Sequence, residues 1–217
     1  MAEHHPRSDL LLSYAAGALG ESWCLAIATH LALCPHCRDV VSVAEELGGS
    51  LLEDIKPVPM TSGSWANLES RLTGEEKPPT PLPAIPTAST PPTFPQPLRA
   101  YVGAEAADVA WKRLGGGAYQ SLISTGDTAR ARLLLIPAGM PVPRHGHRGR
   151  ELTLVLSGCF SDHLGEFVRG DLEDGDEELV HQPVARDADD CICLAVTDAP
   201  LRFTSLIPRL VQPFTGI

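Results

Sequence analysis

The chain has 217 residues, 43% of them hydrophobic, and a formal net charge of −10. This length suffices for one large or two modest domains, and the acidic balance disfavours direct nucleic-acid binding, which normally relies on a basic surface. No apolar run approaches the length that crosses a bilayer, and the N-terminal residues lack the pattern of a signal peptide. Six cysteines without an export signal favour reduced thiols. We therefore expect a cytoplasmic protein that contacts neither nucleic acid nor membrane.

Four helices are predicted before residue 78, with bounds set by capping residues, glycines and a proline. The first follows a cap at Ser8 or Asp9, runs through LLLSYAAGAL and stops at Gly20. The others cover residues 21–33, 35–47 and a segment that begins after Ser62 or Ser64. The fourth helix carries Trp65, Leu68 and Leu72 at spacings that share one face. Residues 1–77 contain eleven acidic and five basic side chains, so this region has a net charge of −6.

Residues 78–97, PPTPLPAIPTASTPPTFPQP, contain nine prolines in twenty residues and no charged side chain. Because proline fixes φ and lacks an N–H donor, this composition is typical of an extended, semi-stiff linker. A loop of this length inside one domain is uncommon. The sequence therefore predicts a helical domain at 1–77, a linker at 78–97 and a second domain at 98–217.

Short segments rich in branched residues follow the linker, separated by Gly, Pro and Asp turns. They read ARLLLIPAG, ELTLVLSG, CICLAVTD and LRFTSLIP. Several short strands at close spacing are typical of an all-β barrel or sandwich. The predicted fold class is therefore α + β multidomain, with a small four-helix domain followed by a β-barrel.

His30, Cys34 and Cys37 form a group of metal-ligand residues in the helical region. The first two are four apart and share one face of a helix, and the third follows a helix-to-helix turn. Imidazole and thiolates are preferred ligands of tetrahedral zinc, and a closed structural site needs four. His5 and His4 are the natural donors of the fourth ligand. A redox pair is disfavoured because no βαβ pattern surrounds the cysteines, whereas buried structural cysteines remain an alternative.

A second group of metal-ligand residues lies in the strand region. Within residues 139–158, GMPVPRHGHRGRELTLVLSG, two histidines alternate along an extended segment and face the same side, and a glutamate begins the next strand. A further histidine in ELVHQPV is available as the fourth ligand, with His163 as its competitor. The predicted ligands are His145, His147, Glu151 and His181. Three imidazoles and a carboxylate suit zinc, iron, manganese, nickel or copper.

Both groups carry a resemblance to known families. Residues 139–158 resemble the first motif of the cupin superfamily, a small β-barrel with a metal inside, and the region around His181 matches its second motif in part. The spacing His30-x-x-x-Cys34-x-x-Cys37, with an upstream histidine, resembles the zinc-binding anti-sigma domain. With YAAGAL, CICLAVTDAPLRF and LVQPF, these motifs make nearly the whole chain similar to the ChrR family of anti-sigma factors.

The resemblance implies that the helical domain binds an extracytoplasmic-function sigma factor and blocks its access to RNA polymerase. It also implies a zinc ion in the helical domain, with His5 as the fourth ligand by the family's spacing, and zinc or another divalent transition metal in the cupin domain. The cupin domain is then expected to regulate release of the sigma factor in response to oxidants such as singlet oxygen.

Two features of the strand region have alternative interpretations. Cys191 and Cys193 alternate on one strand and share a face, so they either pack in the core or respond to oxidation. The rival function is a cupin metalloenzyme, a dioxygenase or isomerase, with a helical zinc-binding appendage. Open metal coordination positions would favour the enzyme, and association of residues 1–77 with a sigma factor would favour the regulator.

Overall fold

A computed structural model describes residues 2–73, 92–186 and 188–205. The helices in this part of the chain are α1 (Ser8–Ala15), α2 (Glu21–Leu33), α3 (Pro35–Leu52), α4 (Ser64–Leu72) and α5 (Gln96–Val102), followed by a 3₁₀ turn (Ala106–Asp108). The strands are β1 (Lys112–Gly115), β2 (Ala118–Ile123), β3 (Arg130–Ile136), β4 (His145–Gly146), β5 (Glu151–Ser157), β6 (Cys159–Asp162), β7 (Gly165–Val168), β8 (Leu172–Gly175), β9 (Val180–His181), β10 (Val184–Ala185), β11 (Cys191–Thr197) and β12 (Arg202–Phe203). None of the described helices is both long and apolar enough to span a lipid bilayer.

Two predicted helix ends differ from the structure. α1 ends at Ala15 and does not reach Gly20, because Gly17 adopts a left-handed φ of +66° and its N–H bonds back to the Tyr14 carbonyl. α3 continues through Gly48–Gly49 to Leu52. A glycine within a helix costs only about 1 kcal/mol relative to alanine, so without a left-handed cap it does not end the helix.

The predicted four helices are present as α1 to α4, but a fifth helix was not predicted. α5 begins at Gln96, inside the segment that was expected to be extended throughout. Pro97 lies in its first turn, where a proline is tolerated because that N–H has no helical partner. Residues 74–91, which include most of the predicted linker, lie outside the described residues, so the division into two domains stays a prediction.

The described strands form three antiparallel sheets. The largest has the order β1-β2-β3-β11-β5-β8, and the two small sheets have the orders β10-β6-β7 and β12-β4-β9. β11 is central, since it pairs with β3 on one side and β5 on the other. The predicted β-barrel is therefore built here from three separate sheets, and hydrogen bonding between the described strands does not run continuously around it.

The large sheet is buried on both faces. On β11, Ile192, Leu194 and Val196 face the helices, whereas Cys191 and Cys193 face the interior between the sheets. All seven residues of β11 are buried. This double burial explains why CICLAVT reads as a continuous apolar run and not as an alternating one.

The helices and the large sheet share one hydrophobic core. α2 contributes Ile27, α5 contributes Leu98, and the sheet contributes Leu154 and Leu194, all of them fully buried. Each such side chain stabilises the packing by about 1.5–3 kcal/mol relative to exposure. The helical region is therefore docked on the outer face of the sheet.

Polar contacts fix the position of the helices on the sheet. The Ser22 hydroxyl donates to Asp127 Oδ1 at 2.6 Å, and the Ser22 N–H donates to Asp127 Oδ2 at 3.1 Å. Arg150 donates to both carboxylate oxygens of Asp174, at 2.7 and 2.6 Å, and to Asp9 Oδ2 at 3.1 Å. Bidentate arginine–carboxylate pairs have a defined geometry, so these contacts set the orientation of the two regions as well as their proximity.

Candidate metal centres

Four metal-ligand side chains converge where the N-terminal arm (residues 2–7) meets α2 and α3. One ligand atom of each lies within 4.8 Å of the other three. The residues are His5, His30, Cys34 and Cys37. The fold thus brings together the two helical segments and the N-terminal histidine that the sequence analysis selected.

His5 reaches this group and His4 does not. His5 Nδ1 lies 3.5 Å from Cys34 Sγ and 3.4 Å from Cys37 Sγ, whereas the His4 ring packs on Phe167 with centroids 4.3 Å apart. With Zn–S near 2.3 Å and Zn–N near 2.1 Å, tetrahedral ligand atoms are separated by roughly 3.6 Å. The observed distances therefore fit a tetrahedral zinc ion.

A contact from the strand region orients His30. Its Nδ1 donates to the Gly170 carbonyl at 2.9 Å, which leaves the Nε2 lone pair for the group. Nε2 is buried and has no hydrogen-bond partner among the described residues. Burial lowers the pKa of His30 to about 4, so the ring is neutral, which is the form that binds a metal. A metal ion here would satisfy an atom whose burial otherwise costs free energy.

The thiols of this group are buried and ionise only with help. Burial raises the pKa of Cys37 to about 12, and the adjacent Cys34 adds to the shift. Formation of the Cys37 thiolate requires a positive charge nearby, as a bound metal ion supplies. The environment therefore suits a structural metal site.

A second group of ligand atoms lies between the sheets of the strand region. His145, His147 and His181 each place one ring nitrogen within 4.8 Å of the others, and all three are buried. β4 and β9 pair so that His145 lies opposite His181. His163, the alternative to His181, is mostly exposed and lies outside the group. Three of the four predicted ligands thus meet in one place.

The hydrogen bonds of His145 and His181 leave the lone pairs of their two Nε2 atoms facing each other. His145 Nδ1 donates to the Pro143 carbonyl at 2.8 Å. His181 Nδ1 lies 2.9 Å from Asp162 Oδ2 and 3.1 Å from Glu173 Oε1, so it is the donor there as well. In neutral rings both Nε2 atoms are then acceptors, and they are 3.1 Å apart. A cation between them removes this repulsion.

His147 and Glu151 favour a metal ion over a proton as this cation. Neither ring nitrogen of His147 nor Glu151 Oε2 has a hydrogen-bond partner among the described residues, although all three atoms are buried. A proton could bridge only the Nε2 atoms of His145 and His181, whereas a metal ion binds several ligands at once. Glu151, the fourth predicted ligand, lies beside the histidines, with Oε2 at 3.6 Å from His147 Nδ1. Burial lowers the pKa of His145 to about 4, which keeps its ring neutral.

Asp162 and Glu173 were missed by the sequence analysis. Both side chains are buried against His181. Burial alone would lower the pKa of His181, but hydrogen bonds and charge from the two carboxylates outweigh it and raise the pKa. Carboxylate partners of this kind orient a metal-binding histidine and increase its basicity. Glu173 lies in the short segment LEDG, whose sequence alone does not tell which face of the strand lies inside.

Asp171 fastens the N-terminal arm to the strand region. Its buried carboxylate accepts bonds from the N–H groups of Glu3 and His4, at 2.6 and 3.0 Å, through Oδ1. Oδ2 accepts the Val168 N–H at 2.8 Å, and the Leu172 N–H donates to the His4 carbonyl at 3.1 Å. The arm that carries His5 is thus bonded to the residues that lead into β8.

The same short stretch touches both candidate metal centres. Gly170 accepts a hydrogen bond from His30 in the first centre, and Glu173 accepts one from His181 in the second. Gly170 has a φ of +96°, a conformation that favours glycine. Residues 170–173 therefore form a direct covalent connection between the two groups.

Comparison with known proteins agrees with this architecture. Residues 100–200 match the family described as the ChrR cupin-like domain. The chain is 49% identical over 214 residues to the anti-sigma-E factor ChrR of Cereibacter sphaeroides, an alignment that covers 99% of this chain and 98% of that protein.

The fold also matches a solved structure over most of its length. A chain in the crystal structure of Rhodobacter sphaeroides SigE in complex with the anti-sigma ChrR superposes with a TM-score of 0.80 and 45% identity. The match covers 91% of this chain and 100% of that one. With the sequence identity over nearly the whole length, these similarities lead to one conclusion: the chain belongs to the ChrR family of anti-sigma factors.

Proposed function

We propose that this protein binds an extracytoplasmic-function sigma factor and blocks its access to RNA polymerase. The observation that carries the proposal is its 49% identity to an anti-sigma-E factor, together with the matching fold of a chain from a SigE–ChrR complex. Membership of this family makes the chain a regulator rather than an enzyme, so the alternative of a cupin metalloenzyme is set aside.

The exposed faces of α3 and α4 support this function. α4 buries no side chain among the described residues, and Trp65, Leu68 and Leu72 are 63%, 44% and 68% exposed. These three side chains share one face of the helix. The apolar surface of α3 and α4 comprises Val43, Leu47, Leu51, Trp65, Leu68 and Leu72. Exposed apolar patches mark interaction sites, and amphipathic helices of this kind bind in grooves of a partner protein.

Charge supports the same partner. Residues 1–77 have a net charge of −6, from eleven acidic and five basic side chains. A sigma factor must present basic surface to DNA, so an acidic partner is electrostatically complementary to it. Such complementarity increases the rate of association more than the affinity itself.

We assign a structural zinc ion to His5, His30, Cys34 and Cys37, supported by the spacing of their ligand atoms and by the unpartnered Nε2 of His30. Zinc would hold the N-terminal arm against α2 and α3, and so fix the position of the helix that carries half of the apolar surface. A closed four-ligand site has no open position for chemistry, which agrees with a purely structural role.

We assign zinc or another divalent transition metal to the second centre. His145, His147 and His181 would bind it, with Glu151 as the adjacent carboxylate, and Asp162 and Glu173 would orient His181. The two facing Nε2 atoms and the unpartnered His147 support the assignment. Imidazole ligands suit several divalent metals, so the ligand set leaves the element open.

We propose further that oxidation in the strand region releases the sigma factor. The sulfurs of Cys191 and Cys193 are buried and 3.5 Å apart on the central strand β11. A disulfide would draw them to about 2.05 Å and distort a strand whose other face packs against α2. Two thiols would each lose one hydrogen to the oxidant; singlet oxygen would become hydrogen peroxide, and a hydroperoxide would become an alcohol and water.

Replacing Trp65 and Leu68 with alanine should weaken sigma-factor binding at least tenfold, because apolar anchors at the centre of an interface contribute most of its affinity. The measurement is calorimetric titration of the full chain with a sigma factor encoded beside it. Leu164→Ala removes an equally exposed leucine from the turn between β6 and β7 and serves as the control. Unchanged affinity in the double variant, or an equal loss in the control, would contradict the proposed surface.

Cys37→Ser should remove one metal equivalent per chain, and His147→Gln should remove a different one, because each variant deletes a ligand of a separate centre. Elemental analysis of the purified full chain measures both. Cys24→Ser and His163→Gln, which change residues outside the two groups, should retain the full metal content. Equal metal content in wild type and both ligand variants would refute the assignments.

Replacing Cys191 and Cys193 together with serine should leave sigma binding unchanged and abolish oxidant-induced release. Release is followed by fluorescence anisotropy of a labelled sigma factor during exposure to singlet oxygen, with Cys24→Ser as the matched control. A response of the double variant equal to that of the wild type would eliminate these thiols as the sensor.

A further inference from the structure

The strand region encloses a cavity that neither metal centre fills. Its volume is about 360 Å³, and its walls come from the large sheet and from both small sheets. This volume lies within the range of small-molecule sites and holds roughly ten to fifteen non-hydrogen atoms at the packing density of protein interiors. Side chains normally fill an interior of this kind, so an unfilled cavity of this size points to a ligand.

One end of the cavity is polar. On adjacent strands, Arg132 lies opposite Ala195, Ala195 opposite Thr153, and Thr153 opposite Glu173, so the four form one row across the large sheet. Each member of the row lines the cavity. Two histidines of the second metal centre, His145 and His181, line the same space. The row and the centre together form the polar end.

The rest of the cavity is apolar. The next rows along the large sheet pair Leu134 with Cys193 and Ile136 with Cys191, and all four side chains line the cavity. Met140, Val142 and Phe160 close the opposite wall. Apolar cavities stay dry and bind apolar groups. The space is therefore graded from a polar end to an apolar end.

Arg132 limits which head group the polar end accepts. The side chain is buried, its guanidinium stays charged at all physiological pH values, and it donates to Gln120 Oε1 at 3.2 Å. Planar guanidinium matches the two oxygens of a carboxylate, and a divalent metal held by imidazoles also takes oxygen donors. Glu151 and Glu173 also line this end, but the charges of Arg132 and a divalent metal ion together exceed those of the two carboxylates, so an anionic head group is favoured over an ammonium group.

From this geometry we infer that the cavity binds a small amphiphilic carboxylate, with its head group between Arg132 and the second metal centre. The alkyl or aromatic tail lies against Leu134, Met140 and Phe160. The head-group contact rests on the metal assigned above to His145 and His181. No described residue of α3 or α4 lines the cavity, so this inference and the inhibition of a sigma factor fail independently.

The test uses octanoate as the probe and the metal-loaded full chain. Calorimetric titration should show saturable binding of one octanoate per chain, at least tenfold tighter than binding of 1-octanol or octylammonium. A chelator that removes the second metal should weaken octanoate binding and leave 1-octanol binding unchanged. Absence of octanoate binding, or equal affinity for octanoate and 1-octanol, would overturn the inference. Binding of a sigma factor by the same preparation tests the inhibitory function separately.

Two substitutions locate the site within the cavity. Arg132→Met should weaken octanoate binding about tenfold while 1-octanol binding persists, and Arg130→Met, an exposed arginine two residues earlier on the same strand, is the matched control. Ala185→Leu should fill the apolar end and abolish binding of both probes. Wild-type octanoate affinity in either Arg132→Met or Ala185→Leu, with folding verified by thermal melting, would place the ligand elsewhere and refute the inference.

Discussion

The buried carboxylate of Asp171 fixes the N-terminal arm, and with it the first metal centre, on the strand region. It accepts the N–H groups of Glu3 and His4, and the carbonyl of the preceding Gly170 accepts a bond from His30. The His4 carbonyl, the His4 ring on Phe167 and the ion pair of Arg7 with Asp174 hold the same arm on the strand region, so the first metal centre is complete only when the arm lies there. A centre that is formally part of the helical region is thus assembled against the strand region.

The large sheet separates two functions on its two faces. Its outer face buries α2 and α5, and its inner face carries Glu151, the paired cysteines and one wall of the cavity, opposite the small sheet that carries His145 and His181. Because strand residues alternate between these faces, a chemical change at the inner face of β11 would be felt by the side chains that pack on α2 one residue away. α2 in turn contacts α3, so the proposed oxidation site lies two elements away from the helix that carries part of the apolar surface.

Much of this organisation was predictable from the sequence, and the failures have physical reasons. The His30–Cys37 spacing and the His145–Glu151 spacing are local patterns, so they were predicted directly. The docking of the helices was not predicted, because the apolar run of β11 does not tell whether its second face meets helices or another sheet. Asp162 and Glu173 were missed for a related reason: a carboxylate next to an apolar residue looks solvent-exposed until the register of the sheet is known. α5 was not predicted, because the prolines around it indicated an extended chain.

The most direct test of the connection through residues 170–173 is hydrogen–deuterium exchange of the N-terminal arm. His181→Gln removes a ligand of the second metal centre and the side chain that Glu173 holds. If the two centres are mechanically connected, the amides of Glu3 and His4 should exchange faster in this variant than in the wild type, while the exposed C-terminal half of α3 is unchanged. Unaltered exchange at Glu3 and His4, alongside faster exchange near His145, would show that the strand region does not reach the first centre.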